Sequence, residues 1–275
     1  MTPRIEWTQH GQAGPPVLLI MGLTMPGQVW RPQLHGLRDS HRLITYDHRG
    51  LGGSDGSQDW YEIADLAQDA IRVLDEAQWP SAHVVGVSMG GMIAQEVALA
   101  TPERLRSLTL IATHGGGRTA WVPGMRGLRG FVAAASKDRN RRTRGLERML
   151  YPPQWLDAQE RPEFLASLED RLNFRAPRST ALRQLRAVFR HRALARLSAV
   201  SAPTLVVQAG RDVLIDPSNS DRLYTSLPNA KLLRFPDAGH GIIHQEAEAL
   251  NQALRDHFAT CESRWSGHSR VALRD

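Results

Sequence analysis

The 275-residue sequence predicts an α/β architecture: a mostly parallel central sheet flanked by helices and interrupted by a helical insertion. Two observations lead there. Short, wholly apolar runs alternate with segments of helical periodicity, the pattern of repeated βαβ units. From His114 to about Ala199 that alternation stops, leaving arginine-rich helical patterns broken by Pro123, Pro152-Pro153, Pro162 and Pro177. The length suits one α/β domain carrying an insertion, and 41% hydrophobic residues supply a sizeable core. The expected division is a core of residues 1–114 and 200–275, loose from about 259, around a helical cap of 115–199.

The elements follow in order. Pro16 to Met21 is apolar throughout, as expected of a strand buried on both faces. Gly22 to Gly27 reads as a loop and Gln28 to Leu37 as a short helix. Arg42 to Tyr46 is a second strand, ending in the glycine-rich turn Asp47 to Asp55. Tyr61 to Gln78 carries Ile63, Leu66, Ala67, Ala70, Ile71 and Leu74 at helical spacing. Ala82 to Val87 is a third strand, Met89 to Ala100 a helix stopped by Thr101-Pro102, and Leu105 to Ile111 a fourth strand. Strands resume at Pro203 to Gln208 and Lys231 to Phe235, and a helix from Ile243 to Phe258 closes the pattern.

Charge and composition narrow the class. Of 34 basic residues only Lys137 and Lys231 are lysines. Between His114 and Val200 stand 18 basic and 7 acidic residues, so a basic insertion interrupts a mildly acidic chain. Such a segment fits an anionic partner or substrate, or else a solvated helical face; the arginines are spread along helices without interleaved stacking aromatics, which reads against nucleic acid. The longest apolar run is far shorter than the ~20 residues that span a bilayer. One cysteine, Cys261, permits no intrachain disulfide. With no signal-peptide pattern at the N-terminus, the expected location is cytoplasmic. No metal-ligand spacing or phosphate loop is found, so neither metal nor organic cofactor is expected.

Gly86-Val87-Ser88-Met89-Gly90 lies between a predicted strand and a predicted helix. A Gly-x-Ser-x-Gly turn in that setting strains the serine backbone and leaves its hydroxyl clear at the carboxyl end of the sheet. A serine alkoxide needs a base within reach, oriented by a carboxylate, and in such sites the chain order is serine, acid, histidine. His240 follows the Leu232–Phe235 run in a loop; His244 is its local rival, placed in a helix. Asp212 is the acid nearest a strand end, with Asp216 and Asp237 as rivals. Two backbone amides for a developing oxyanion fall at Met89, after the serine, and Leu23, after the first strand.

With these residues assembled the chain resembles the α/β-hydrolase superfamily over about residues 4 to 258. The matching pieces are Gly86 to Met92, Gly210-Arg211-Asp212, Ala238-Gly239-His240-Gly241, and Asp47 to Ser54, which looks like the family's structural Asp-x-Arg-Gly-x-Gly-x-Ser turn. Small-molecule carboxylesterases, 3-oxoadipate enol-lactonase-like enzymes and polyketide methyl-ester hydrolases are the most similar subgroups. Many members have His-Gly where this chain has Met21-Gly22. Ser88 argues against dehalogenase and epoxide hydrolase chemistry, since those similar families use Asp there. The resemblance implies an esterase or lactonase acting through an acyl-enzyme on a small-molecule substrate. Two alternatives stand beside it: a cofactor-free perhydrolase or haloperoxidase-like activity, and a non-catalytic ligand-binding protein. The insertion would be a cap, with Trp121, Met125, Phe131, Trp155, Phe164 and Phe174, and also Trp30 in the core, as candidates to line the pocket.

Overall fold

The computed structural model describes residues 2–117, 125–134, 136–158 and 176–271. Its strands are β1 (Trp7–His10), β2 (Pro16–Ile20), β3 (Arg42–Tyr46), β4 (Ala82–Val87), β5 (Leu105–Ile111), β6 (Thr204–Ala209) and β7 (Ala230–Phe235). They form one sheet in the order β1-β3-β2-β4-β5-β6-β7. Only β1 runs antiparallel, against β3; every other pairing is parallel.

Alternation along the strands explains why they are apolar throughout. In β2, Leu18 and Ile20 enter one core while Val17 and Leu19 enter the other. Both faces are therefore covered, as a parallel sheet requires. On the first face lie α2 (Ile63–Glu76) and α3 (Met89–Ala100); on the second lie α1 (Arg31–Leu37) and the C-terminal helix. α2 begins with a reciprocal cap, in which the Glu62 amide donates to Asp65 at 2.7 Å. Its apolar stripe, Leu66, Ala70 and Leu74, is buried. The same helix carries a buried carboxylate, Asp69, which accepts two hydrogen bonds of 2.7 Å from Arg49 and a further one from Arg72.

Between β5 and β6 come α4 (Met125–Ala134), α5 (Arg139–Leu150), the short α6 (Pro153–Asp157) and α7 (Arg178–Arg190). The Asp138 side chain caps α5 by accepting from the Arg141 amide at 2.7 Å. Where the chain leaves the sheet and returns to it, the Ala193 and Leu194 amides both donate to the Gly115 carbonyl at 2.8 Å. The buried His114 and His191 lie at this junction. α8 (Ser218–Ser226) then joins β6 to β7.

Three expectations needed correction. β1 was not foreseen: it is a four-residue edge strand with half-exposed polar positions, and it lacks an apolar run. The segment expected as one helix from Gln28 is a 3₁₀ turn, Gly27–Trp30, followed by α1. The segment expected to be loose from 259 continues a helix. After the short α9 (Ile242–Gln245), α10 runs from Ala247 to Val271. Leu250, Leu254, Phe258 and Cys261 keep one buried stripe. Beyond it Glu262 accepts from Arg106 at 2.9 Å, which ties the helix to β5. Among the described residues no helix is long and apolar enough to cross a membrane.

Two buried histidines and the half-buried His257 tie stability to pH. Desolvation lowers His114 to about 4, His191 to about 3 and His257 to about 4. The unfolded chain, with ordinary histidines near 6.5, then binds more protons below that pH than the folded one. Their contribution is complete above ~6.5 and is lost as pH falls toward the folded values, at up to ~2 kcal/mol each by pH 5. Urea unfolding at pH 7.5 and pH 5 should show a clearly lower midpoint at pH 5. In a variant carrying His191→Gln that difference should shrink.

Candidate active site

Ser88 stands between the end of β4 and the start of α3, at the middle of the sheet. Its backbone has φ 55° and ψ −123°, a conformation a residue with a β-carbon adopts only under constraint. The constraint is visible on both sides. The Ser88 amide donates to the Ile111 carbonyl at 2.9 Å, and the Ser88 carbonyl accepts from the Thr113 hydroxyl at 2.6 Å and the Gly91 amide at 2.9 Å. Gly86 and Gly90 are needed for closeness rather than for φ. A β-carbon on Gly86 would overlap the Gly90 carbonyl, and one on Gly90 would overlap the carbonyls of Ile20 and Met21.

Asp212 lies three residues beyond β6 and His240 five beyond β7, so both loops open at the same carboxyl edge as Ser88. His240 Nδ1 donates to Asp212 Oδ2 at 2.6 Å. Asp212 Oδ1 accepts the amides of Leu214 at 2.8 Å and Ile215 at 3.0 Å, which fixes the plane of the carboxylate. The Asp212 side chain is buried and that of His240 nearly so. The two loops are joined to each other by the Arg211 amide, which donates to the Ala238 carbonyl at 2.8 Å. Gln245 clamps the histidine loop from α9: its Oε1 accepts from the Gly239 amide at 2.8 Å, and its Nε2 donates to the Asp237 carbonyl at 2.9 Å. From α5, the Leu150 carbonyl accepts the Gly241 amide at 2.7 Å.

The rival carboxylates go elsewhere. Asp216 accepts from the Ser218 amide at 2.9 Å near the start of α8, and hydrogen bonding to Ser218 holds its carboxyl below the usual range. Asp237 is an exposed partner of Arg211. His244 is in a helix, as expected, yet it lines the same cavity as His240.

The loop of residues 21–27, which holds Leu23, is braced from three directions. His48 Nε2 donates to the Met21 carbonyl at 2.8 Å; its ring is buried, and desolvation lowers its pKa. Asp47 accepts the Gly27 amide at 2.8 Å. On the far side the Thr24 amide, at a residue with φ 61°, donates to Gln184 Oε1 of α7 at 2.8 Å. The turn at 47–55 is itself anchored by the Arg49–Asp69 pair. That turn reads in the sequence as structural, a reading that leaves out how its consecutive residues Asp47 and His48 grip both ends of the loop. Gln184 carried no sequence signal, because its partner is 160 positions away.

Ser88, Met89, Leu23, His240 and His244 line one cavity of about 170 Å³. Apart from Thr24 and the Tyr151 hydroxyl, the rest of its wall is apolar. Leu146, Met149, Leu150 and Tyr151 come from α5 and its end, Leu185 and Val188 from α7, and Leu214 and Ile215 from the Asp212 loop. Trp30 does not reach it: it is fully buried in the core between the sheet and α1, and its neighbour Val29 lines the cavity instead. Trp155 stacks on Tyr151 with ring centroids 4.7 Å apart, and it is Tyr151 that faces the cavity. Trp121, Phe164 and Phe174 lie outside the described residues, as do the side chains of Met125 and Phe131. Among the described residues no group of three or more His, Cys, Asp or Glu side chains could hold a metal ion.

A family model for the alpha/beta hydrolase fold matches residues 15–247. The chain belongs to that family, and hydrolysis is the class of activity this membership supports. It is 35% identical over 269 residues to a Variovorax paradoxus protein, RutD, whose name assigns it a carbamate-hydrolase role; 93% of this chain and 96% of that one align. The solved enol-lactonase of Burkholderia xenovorans LB400 superposes with a TM-score of 0.80 at 20% identity, covering 93% of this chain and 96% of the other. At that identity the likeness is one of fold. The structure of a Mycobacterium tuberculosis H37Rv protein that bears the name non-heme bromoperoxidase BpoC gives a TM-score of 0.79 at 26% identity, covering 95% and 97%.

The close approach at Ser88 can be tested on its glycines. Gly86→Ala and Gly90→Ala should each lower stability by ~3 kcal/mol or more, or abolish soluble expression, because the obstructing atoms are backbone. Gly56→Ala, where an added β-carbon meets nothing within 4 Å, should be neutral in the same thermal-unfolding measurement.

Proposed function

We propose that this chain is a serine hydrolase of small carboxylic esters or lactones, working through an acyl-enzyme at Ser88. The observation that carries the reading is the 2.6 Å hydrogen bond from His240 to Asp212, made by a histidine that shares a cavity wall with Ser88. An Nδ1–H that donates to a carboxylate leaves Nε2 bare, which is the tautomer a general base needs.

Ser88 Oγ attacks the carbonyl carbon as His240 Nε2 takes its proton, and Asp212 steadies the imidazolium. The negative charge that develops on the carbonyl oxygen is met by the amides of Leu23 and Met89. Met89 opens α3, so its amide has no partner within the helix and sits at the positive end of the helix. His240 returns the proton to the departing alkoxide, which leaves as alcohol. Water, deprotonated by the same nitrogen, then attacks the acyl carbon, and Ser88 leaves with that proton as the acid is released.

The helices between β5 and β6 act in this reading as the cap. They hold the site from two sides, through Gln184 on the Leu23 loop and the Leu150 carbonyl on the His240 loop. The carbamate, enol-lactone and bromoperoxidase names of the similar proteins fit one nucleophile with different acyl groups or acceptors.

Ser88→Ala should reduce p-nitrophenyl butyrate hydrolysis by at least ~10³-fold, with an unchanged circular dichroism spectrum and no labelling by a fluorophosphonate. Asp212→Asn should fall by a similar order, while Asp216→Asn stays within about twofold of the parent. Near-normal turnover without the Ser88 hydroxyl would sink the reading, and a loss confined to Asp216→Asn would move the acid.

A further inference from the structure

Five of the protein's seven methionines, Met21, Met25, Met89, Met92 and Met149, line the cavity that holds Ser88. They come from three separate parts of the chain: the loop after β2, the first turn of α3, and α5. Among the described residues the lining contains no lysine, arginine, aspartate or glutamate. That absence stands out because two of the contributing helices are the arginine-rich ones. In α7, Arg183 donates to the Gln58 carbonyl, and Arg186 and Arg190 pair with Glu62, while Leu185 and Val188 of the same helix face the cavity. In α5, Arg141, Arg144 and Arg148 line a separate groove, while Leu146, Met149 and Leu150 face the cavity. Helical periodicity thus sorts the basic residues outward and the apolar ones inward.

Two physical properties of this wall select an acyl group. An ionised carboxylate placed against it would lose its water and meet no lysine or arginine among the described lining residues, so it would be refused. A thioether side chain is unbranched and polarisable, and a wall made of several can reshape around different apolar surfaces. We propose that the cavity receives uncharged acyl groups of varied apolar shape and rejects acyl chains that end in a carboxylate. Among the described residues, the arginines of the insertion therefore do not recruit an anionic substrate to this cavity. The inference rests on the reading of Ser88 as an acyl-transfer nucleophile.

The test compares p-nitrophenyl hexanoate with mono-p-nitrophenyl adipate, which has the same six-carbon acyl chain ending in a carboxylate. p-Nitrophenyl phenylacetate and cyclohexanecarboxylate vary the shape. In the wild-type protein kcat/KM for hexanoate should exceed that for adipate by 100-fold or more, about 2.7 kcal/mol at 1.36 kcal/mol per tenfold. The two other uncharged esters should fall within tenfold of hexanoate. A smaller hexanoate-to-adipate ratio overturns the exclusion of charge, and a wider spread among uncharged esters overturns the adaptable wall. Leu185→Arg, which sets a cation in the wall, should raise adipate relative to hexanoate by at least tenfold. Should that variant not fold, the wild-type ratios decide alone. Fluorophosphonate labelling separates the two levels. Ser88 labelled with no turnover of apolar esters overturns this inference and leaves the nucleophile in place, whereas no labelling and no turnover removes the proposed function itself.

Discussion

Close contact between two strands and a helix at the centre of the sheet sets the terms for everything around it. β4 must end and α3 must begin within one residue, against β2, and Gly86 and Gly90 leave no atoms in the way. The residue between them is held at φ 55° by hydrogen bonds on its amide and its carbonyl. A conformation of that kind costs on the order of 1–3 kcal/mol and persists only where the surroundings over-determine it. Here the surroundings are closely packed, with β2 and β4 buried along their whole length. The strain is thus borne by the sheet, and the Ser88 side chain is presented at its carboxyl edge.

Around that fixed point the other groups are held by short, redundant ties. The acid and histidine loops are bonded to each other and to α9. The loop with Leu23 is gripped at both ends by one turn, Asp47 at Gly27 and His48 at Met21, and that turn is anchored on a buried Arg49–Asp69 pair. Each tie from the sheet side has a counterpart from the inserted helices, Gln184 on one loop and Leu150 on the other. Movement of those helices would disturb both loops together, so access to the cavity and the arrangement of its polar groups are mechanically linked.

What was legible in the sequence was whatever depends on neighbours in the chain. The apolar runs of β2 and β4, the glycines flanking Ser88, and the positions of Asp212 and His240 just past strand ends are all local patterns, and they placed these residues at one edge of the sheet. Contacts made across the chain were not legible. Gln184 meets Thr24 through a side chain with no periodic or motif signal. Trp30 looked suited to a pocket because it is large and follows a loop, but only the packing of α1 on the sheet shows that it turns into the core. The last helix was cut short because its polar composition past Phe258 masked a stripe continued only by Cys261 and the Glu262 pairing. β1 was missed because an edge strand need not be apolar.

The sulfur atoms around Ser88 carry a chemical liability along with their adaptability. A thioether takes up one oxygen from hydrogen peroxide or a peracid, giving a sulfoxide and water or the parent acid. In this wall each such event would replace a soft apolar surface with a strong S–O dipole that finds no charged partner among the described lining residues. The same five side chains that make the wall soft and apolar thus leave it open to oxidation.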